Sequence, residues 1–177
     1  MKIPLDKVVY STPPSAVVLV STISKEGRKN IAPFGFFMPC AHQPPMVAVS
    51  IRKTIHTYKY AKEIGEFVVS IPTSKIVKQV YKAGGVNEGD EFKGSGLTAI
   101  PSNSVKPFSV KECQVNLECR FVDEITTGDH VIIIGKVIDG IIDDTIFNED
   151  NAILRTNLDS IYHATKNNFV SKGKKIE

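Results

Sequence analysis

The chain has 177 residues, 42% of them hydrophobic, enough to bury one core, and its 22 basic and 19 acidic residues leave a net charge of +3. No basic stripe interleaved with aromatic residues runs through its body, which argues against a nucleic-acid partner, and Lys166, Lys172, Lys174 and Lys175 read as a solvated tail. Met1 to Lys7 lacks the apolar centre of a secretory leader, no apolar run is long enough to cross a bilayer, and three cysteines without a CxxC pair fit a reducing compartment, so a cytoplasmic protein without a membrane partner is expected.

In chain order, Val17 to Thr22 is a short β-branched run that reads as a strand, and Lys25 to Asn30 as the hairpin turn after it. Met46 to Ile51 reads as a strand introduced by Pro44-Pro45, followed by a short helix over Tyr58 to Ile64 that stops at Gly65. Glu66 to Ile71 is a further strand. Ile76, Val77, Val80 and Tyr81 recur at helical spacing, which predicts a helix over Ser74 to Ala83 closed by Gly84-Gly85. Cys113, Val115, Leu117, Cys119 and Phe121 alternate with Gln114, Asn116, Glu118 and Arg120, the pattern of a strand with one buried and one wet face. After a turn at Thr127-Gly128-Asp129, Val131 to Ile138 forms its antiparallel partner, read as buried on both faces in its first half. Two short helices among about half a dozen strands, without βαβ alternation, predict a β-rich α+β domain built on an antiparallel barrel. One domain over residues 1–165 and a lysine-rich tail over 166–177 are expected.

Two stretches carry chemistry. Ser50-Ile51-Arg52-Lys53-Thr54-Ile55-His56-Thr57 places two cations and several hydroxyls between a strand end and a helix N-terminus, where unpaired N–H groups and the helix dipole favour an anion such as phosphate. The plainer alternative is that Thr54 or Thr57 caps the helix while Arg52 and Lys53 face solvent. Asn30-Ile31-Ala32-Pro33-Phe34-Gly35-Phe36-Phe37-Met38 combines small residues, which let main-chain groups approach a heterocycle, with aromatic walls; taken on its own it reads more simply as a core strand with an irregular start. Together the stretches describe a site for a flat ring joined to a phosphate.

The order of these stretches, followed by Gly65-Glu66-Phe67-Val68-Val69-Ser70 and by Gly128-Asp129-His130 with its strand, resembles the flavin reductase-like, FMN-binding split-barrel family in its flavoredoxin branch, over about residues 8 to 140. The resemblance implies a split β-barrel homodimer with FMN near the subunit interface. Ala32, Pro33 and Phe34 would lie along the isoalloxazine ring, and Ser50, Arg52, Lys53 and Thr57 around the ribityl chain and phosphate. His56 would hold the phosphate or orient its loop, and Lys93 would add a flavin-side contact. Asn30, Gly35 and Ile51 complete the cofactor-binding candidates. The activity implied is electron transfer from NAD(P)H through FMN to free flavin, an iron complex or a redox partner protein; the alternative is an electron carrier with no NAD(P)H activity of its own.

No GxGxxG opens a helix after a strand, so nicotinamide would bind only transiently, as donor. GxSxG, HExxH and P-loop motifs are absent, and Cys40, His42, Cys113 and Cys119 lack the spacing of a zinc site. No catalytic acid or base is assigned, because in such proteins the flavin performs the chemistry. In Gly128-Asp129-His130 the aspartate is read as a turn former and His130 as a structural strand residue, while His163 is left without a role.

Overall fold

The computed structural model describes residues 12–85, 90–146, 158–165 and 168–171. Its strands follow from alternation and β-branching: β1 (Ser15–Ala16), β2 (Val18–Ile23), β3 (Lys29–Phe34), β4 (Phe37–His42), β5 (Pro45–Arg52), β6 (Glu66–Ile71), β7 (Ala99–Ile100), β8 (Ser109–Val110), β9 (Val115–Thr127), β10 (His130–Ile142), β11 (Ile161–Thr165) and β12 (Asn168–Ser171). Three short helices join them: α1 (His56–Ile64), α2 (Val77–Ala83) and α3 (Glu91–Ser95).

Seven strands form one antiparallel sheet in the order β3-β2-β6-β9-β10-β5-β4. Its two edge strands are consecutive in sequence, since β3 ends at Phe34 and β4 begins at Phe37. Laid flat, seven strands would separate those edges by about 29 Å, whereas the link from Phe34 to Phe37 spans at most about 11 Å. The sheet therefore curls back on itself, while the Ser50 N–H, donating to the Phe36 carbonyl at 2.9 Å, extends the β4–β5 ladder to the link. The result is the β-rich α+β split barrel expected from the sequence. A second sheet, β1-β11-β12, and the pair β7-β8 stand outside it.

Strand parity divides the apolar residues into two cores. Val18, Val20, Val49, Ile51, Phe67, Val131 and Ile133 fill the barrel. Val17, Leu19 and Ile31 point the other way and pack with Val80 of α2, Phe92 of α3 and Ile161 of β11. Inside the barrel the Phe67 ring lies where a Cβ on Gly135 would stand, well within van der Waals contact, so this close approach requires glycine.

Several elements differ from the sequence reading. The helix after β5 starts at His56, before Tyr58, and Gly65 ends it in the left-handed region at φ 77°. The segment 74–83 divides into a 3₁₀ turn, Ser74–Ile76, and α2. β9 begins at Val115, with Cys113 buried in the turn before it. Its supposed wet face is only partly wet, because Asn116 and Glu118 are buried. Glu118 accepts N–H bonds from Asn103 and Ser104 at 2.8 and 2.6 Å, and Asn116 bonds Ser70 and the Val110 main chain. A loop laid over that face supplies the donors that make burial of polar side chains tolerable. In the first half of β10 Val131, Ile133 and Gly135 are buried, and Ile132 and Ile134 are half-buried. β12 falls in the stretch read as tail, where it pairs with β11.

Candidate functional site

Along β5, side chains alternate between the barrel interior and its outer surface, so Ile51 points inward and is fully buried while Ser50 and Arg52 point outward. The pairing of β5 with β10 sets His130 opposite Arg52 and Ile132 opposite Ser50. This parity turns the Ile51 side chain into the barrel core, on the opposite side of β5 from Ser50 and Arg52.

Beyond Arg52 the chain turns into α1. Its N-cap is Ile55, which offers no side-chain acceptor, and its first turn carries no acidic residue. The alternative in which Thr54 or Thr57 caps this helix is thereby overturned. The first-turn N–H groups meet no side-chain cap and the helix's own first turn has no acidic residue, conditions that favour an anion at a helix start, while the Glu91 carboxylate from α3 stands across the same cleft. A cleft of about 280 Å³ opens there, bounded by Ala32, Pro33 and Phe34 of β3, by Thr54 to Thr57, and by Ala83, Gly84 and Glu91. A second hollow of about 260 Å³ adjoins it, sharing Pro33, Phe34 and Ile55 and adding Gly35, Phe36, Ser50, Arg52 and His130. The first is lined by apolar groups together with threonine hydroxyls, the His56 ring and the Glu91 carboxylate; the second brings in a guanidinium.

Gly84 allows α2 to end close against β3, since a Cβ there would stand 3.2 Å from Pro33 Cγ. At the mouth, His130 Nδ1 lies 2.7 Å from Asp129 Oδ1, and Arg52 Nε lies 4.0 Å from the other carboxylate oxygen. The bond to His130 holds the Asp129 carboxyl below its ordinary range, with smaller contributions from the charges of His130 and Arg52. Asp129 thus engages its neighbour's ring, beyond the turn-forming role read from sequence, and the Phe36 ring meets His130 edge-on at 6.0 Å.

Of the sequence candidates, Asn30, Ala32, Pro33, Phe34, Gly35, Ser50, Arg52, His56 and Thr57 line the two adjoining hollows. Asn30 and Thr57 are nearly fully buried, and their polar groups bond each other at 2.9 Å, so both serve the wall from within. Lys53 turns toward Thr126, 3.0 Å away, and lines a neighbouring groove with Lys59 and Lys62. Lys93 is exposed on α3 and lies outside the lining of either hollow. His163, on the separate sheet, tilts against Phe169.

Sequence reasoning missed Glu91, Gly84 and the closeness of His130 to Arg52. Only the last had a legible signal, the antiparallel alignment of two strands ending at the same turn. Glu91 is almost fully buried, accepts the Ile31 N–H at 3.1 Å and stands 3.8 Å from His56 Nδ1. Burial raises its carboxyl above the ordinary range, against the opposing effects of the Ile31 bond and of the His56 and Arg28 charges.

The comparisons with known proteins agree with this antiparallel split barrel. The chain belongs to the family with a flavin reductase like domain, whose model matches residues 10–163. An uncharacterised protein of Archaeoglobus fulgidus is 37% identical over 131 residues, covering 73% of this chain and 72% of that one. Among solved structures, nitrilotriacetate monooxygenase component B from Bacillus cereus is 25% identical with a TM-score of 0.90, covering all of this chain and 98% of the other. The flavoredoxin of Desulfovibrio vulgaris is 28% identical with a TM-score of 0.88, covering 100% and 96%. Among the described residues no helix is long and apolar enough to cross a membrane.

Proposed function

We propose that this chain is a cytoplasmic oxidoreductase that holds FMN in the cleft and passes electrons from NAD(P)H to an acceptor. The observation that carries this reading is the uncapped start of α1 opening, together with the Pro33–Phe34 wall, into one cleft, with Arg52 in the hollow that adjoins it. The donor set fits the group: main-chain N–H groups and the Thr54 hydroxyl suit a phosphate, Arg52 can add a charge-assisted bond, and Ala32, Pro33 and Phe34 give a flat ring an apolar side. When bound, FMN supplies the redox chemistry. The chain's own residues bind and orient: Arg52 and the α1 start fix the phosphate end, Ser50 and Gly35 border the path between the hollows, and the β3 segment sets the plane of the ring. Nicotinamide is a transient visitor, since no dinucleotide-binding motif is present to retain it.

Phe36 and Met38, both half-exposed, flank a further apolar groove of about 430 Å³ that borders the same site through Gly35 and Ser50. This surface supports a homodimer with the cofactor near the interface. The similarity to a flavoredoxin along the whole chain favours a second reading, an FMN carrier that exchanges electrons only with protein partners. Titration of the protein with FMN, followed by flavin fluorescence, tests the site. Arg52→Ala is expected to weaken binding by about 1.5 to 3 kcal/mol, the scale of a charge-assisted hydrogen bond. Unchanged affinity in that variant would remove Arg52 from the site.

A further inference from the structure

Glu91 is a buried titratable group to which the binding scheme assigns no role. Its carboxylate faces three partners from two elements. Oε2 accepts the Ile31 N–H at 3.1 Å. The Asn30 amide, turned so that its own neighbours are satisfied, donates Nδ2 to Oε2 and Oε1 at 2.9 and 3.1 Å while its oxygen accepts from Thr57 and Thr22. Oε1 lies 3.8 Å from His56 Nδ1. Nearby, Arg28 contributes positive charge, and its Nε and Nη2 have no hydrogen-bond partner among the described residues.

The first two contacts are enough for a carboxylate that only pins β3. The third reaches a different element and a different kind of group. His56 sits in the first turn of α1 with its side chain 41% exposed, lines the cleft, and stacks flat on Tyr60 with centroids 5.5 Å apart and planes 4° apart. At 3.8 Å the carboxylate is beyond hydrogen-bond length, but a ring fixed by stacking with Nδ1 facing a carboxylate has its proton drawn electrostatically to Nδ1, and a small closing movement would complete the bond and leave Nε2 for a ligand.

We propose that Glu91 is a positioning residue for the anion end of the cleft: it holds His56 with the proton on Nδ1, leaving Nε2 free to meet a phosphate. The neutral ring then offers Nε2 as an acceptor to a protonated phosphate oxygen, and the doubly protonated ring offers it as a donor to an ionised one, its charge balanced by Glu91 in the same cleft wall. The inference rests on the cleft being a phosphate site, but its central feature belongs to the ligand-free protein.

The test begins with nitrogen-15 NMR of the four histidines in the ligand-free wild type at a pH where the rings are neutral, His56 being assigned by its loss in His56→Asn. The expected result is a proton on Nδ1 of His56, opposite to the Nε2–H form that free histidine favours. A His56 in the Nε2–H form overturns the proposal, whether or not any variant folds. In Glu91→Gln the tautomer is expected to shift toward Nε2–H, and FMN affinity to fall about three- to tenfold, the scale of one net hydrogen bond. His56→Asn is expected to lose the same amount, and the double variant no more than either alone. Losses that add, or a tautomer unmoved by Glu91→Gln, mean that Glu91 only pins β3 and overturn the proposal. A wild type that takes up no FMN defeats the flavin reading instead, and inorganic phosphate then replaces FMN in the same cycle.

Discussion

Replacing Glu118 by alanine probes how the barrel's outer face is covered. The side chain is fully buried and accepts two main-chain N–H bonds, from Asn103 at 2.8 Å and Ser104 at 2.6 Å. Hydrogen bonds to a charged acceptor contribute about 1.5 to 3 kcal/mol each, which puts the pair at about 3 to 6 kcal/mol. Asn103 and Ser104 are themselves exposed, so their freed N–H groups can turn to water, and the net loss falls toward the lower end, about 3 kcal/mol. For a chain of this length that lowers Tm by about 6 to 12 °C. Glu118→Gln keeps the shape and one good acceptor and is expected to lose about half as much, about 1.5 kcal/mol. Urea denaturation and calorimetry on both variants measure these losses. An alanine variant within about 0.5 kcal/mol of wild type, the range of ordinary surface substitutions, would refute the reasoning and return this face of β9 to solvent.

Gly84→Val is expected to crowd Pro33 at the cleft wall, costing about 1 to 3 kcal/mol shared between stability and FMN affinity, which a thermal melt and a flavin titration separate. Cys40 is exposed, whereas Cys113 and Cys119 are buried and burial pushes the Cys119 thiol up to about 12 and Cys113 higher still. A thiol reagent is therefore expected to label one cysteine quickly in the folded protein and all three in denaturant; rapid labelling of three in the folded state would contradict the packing.

Local patterns made the strands readable, because β2, β5 and β10 announce themselves by β-branched runs and turns at Gly27, Gly65 and Gly128 take positive φ where glycine does so without strain. The absence of βαβ alternation pointed to an antiparallel barrel, but the strand order was not legible, since nothing local says that β3 and β4 lie at opposite ends of a sheet order. The burial of Asn116 and Glu118 was misread for a related reason: alternation reports which way a side chain points, not whether a loop from residues 102–110 later covers it. In the site, parity places Ser50 and Arg52 outside and Ile51 inside, which the sequence alone could have yielded once the strand was assigned. Glu91 was invisible because its partners Asn30, Ile31 and His56 come from elements 35 to 61 residues away in the chain.

An absorbance spectrum of the purified protein loaded with FMN, recorded before and after anaerobic addition of NADH or NADPH, bears on the whole proposal at once. The reductase reading predicts a yellow protein whose flavin bands bleach with nicotinamide alone. Bands that persist until a partner protein is supplied would make it a carrier, and a protein that stays colourless and cannot be loaded with FMN would contradict the assignment of the cleft.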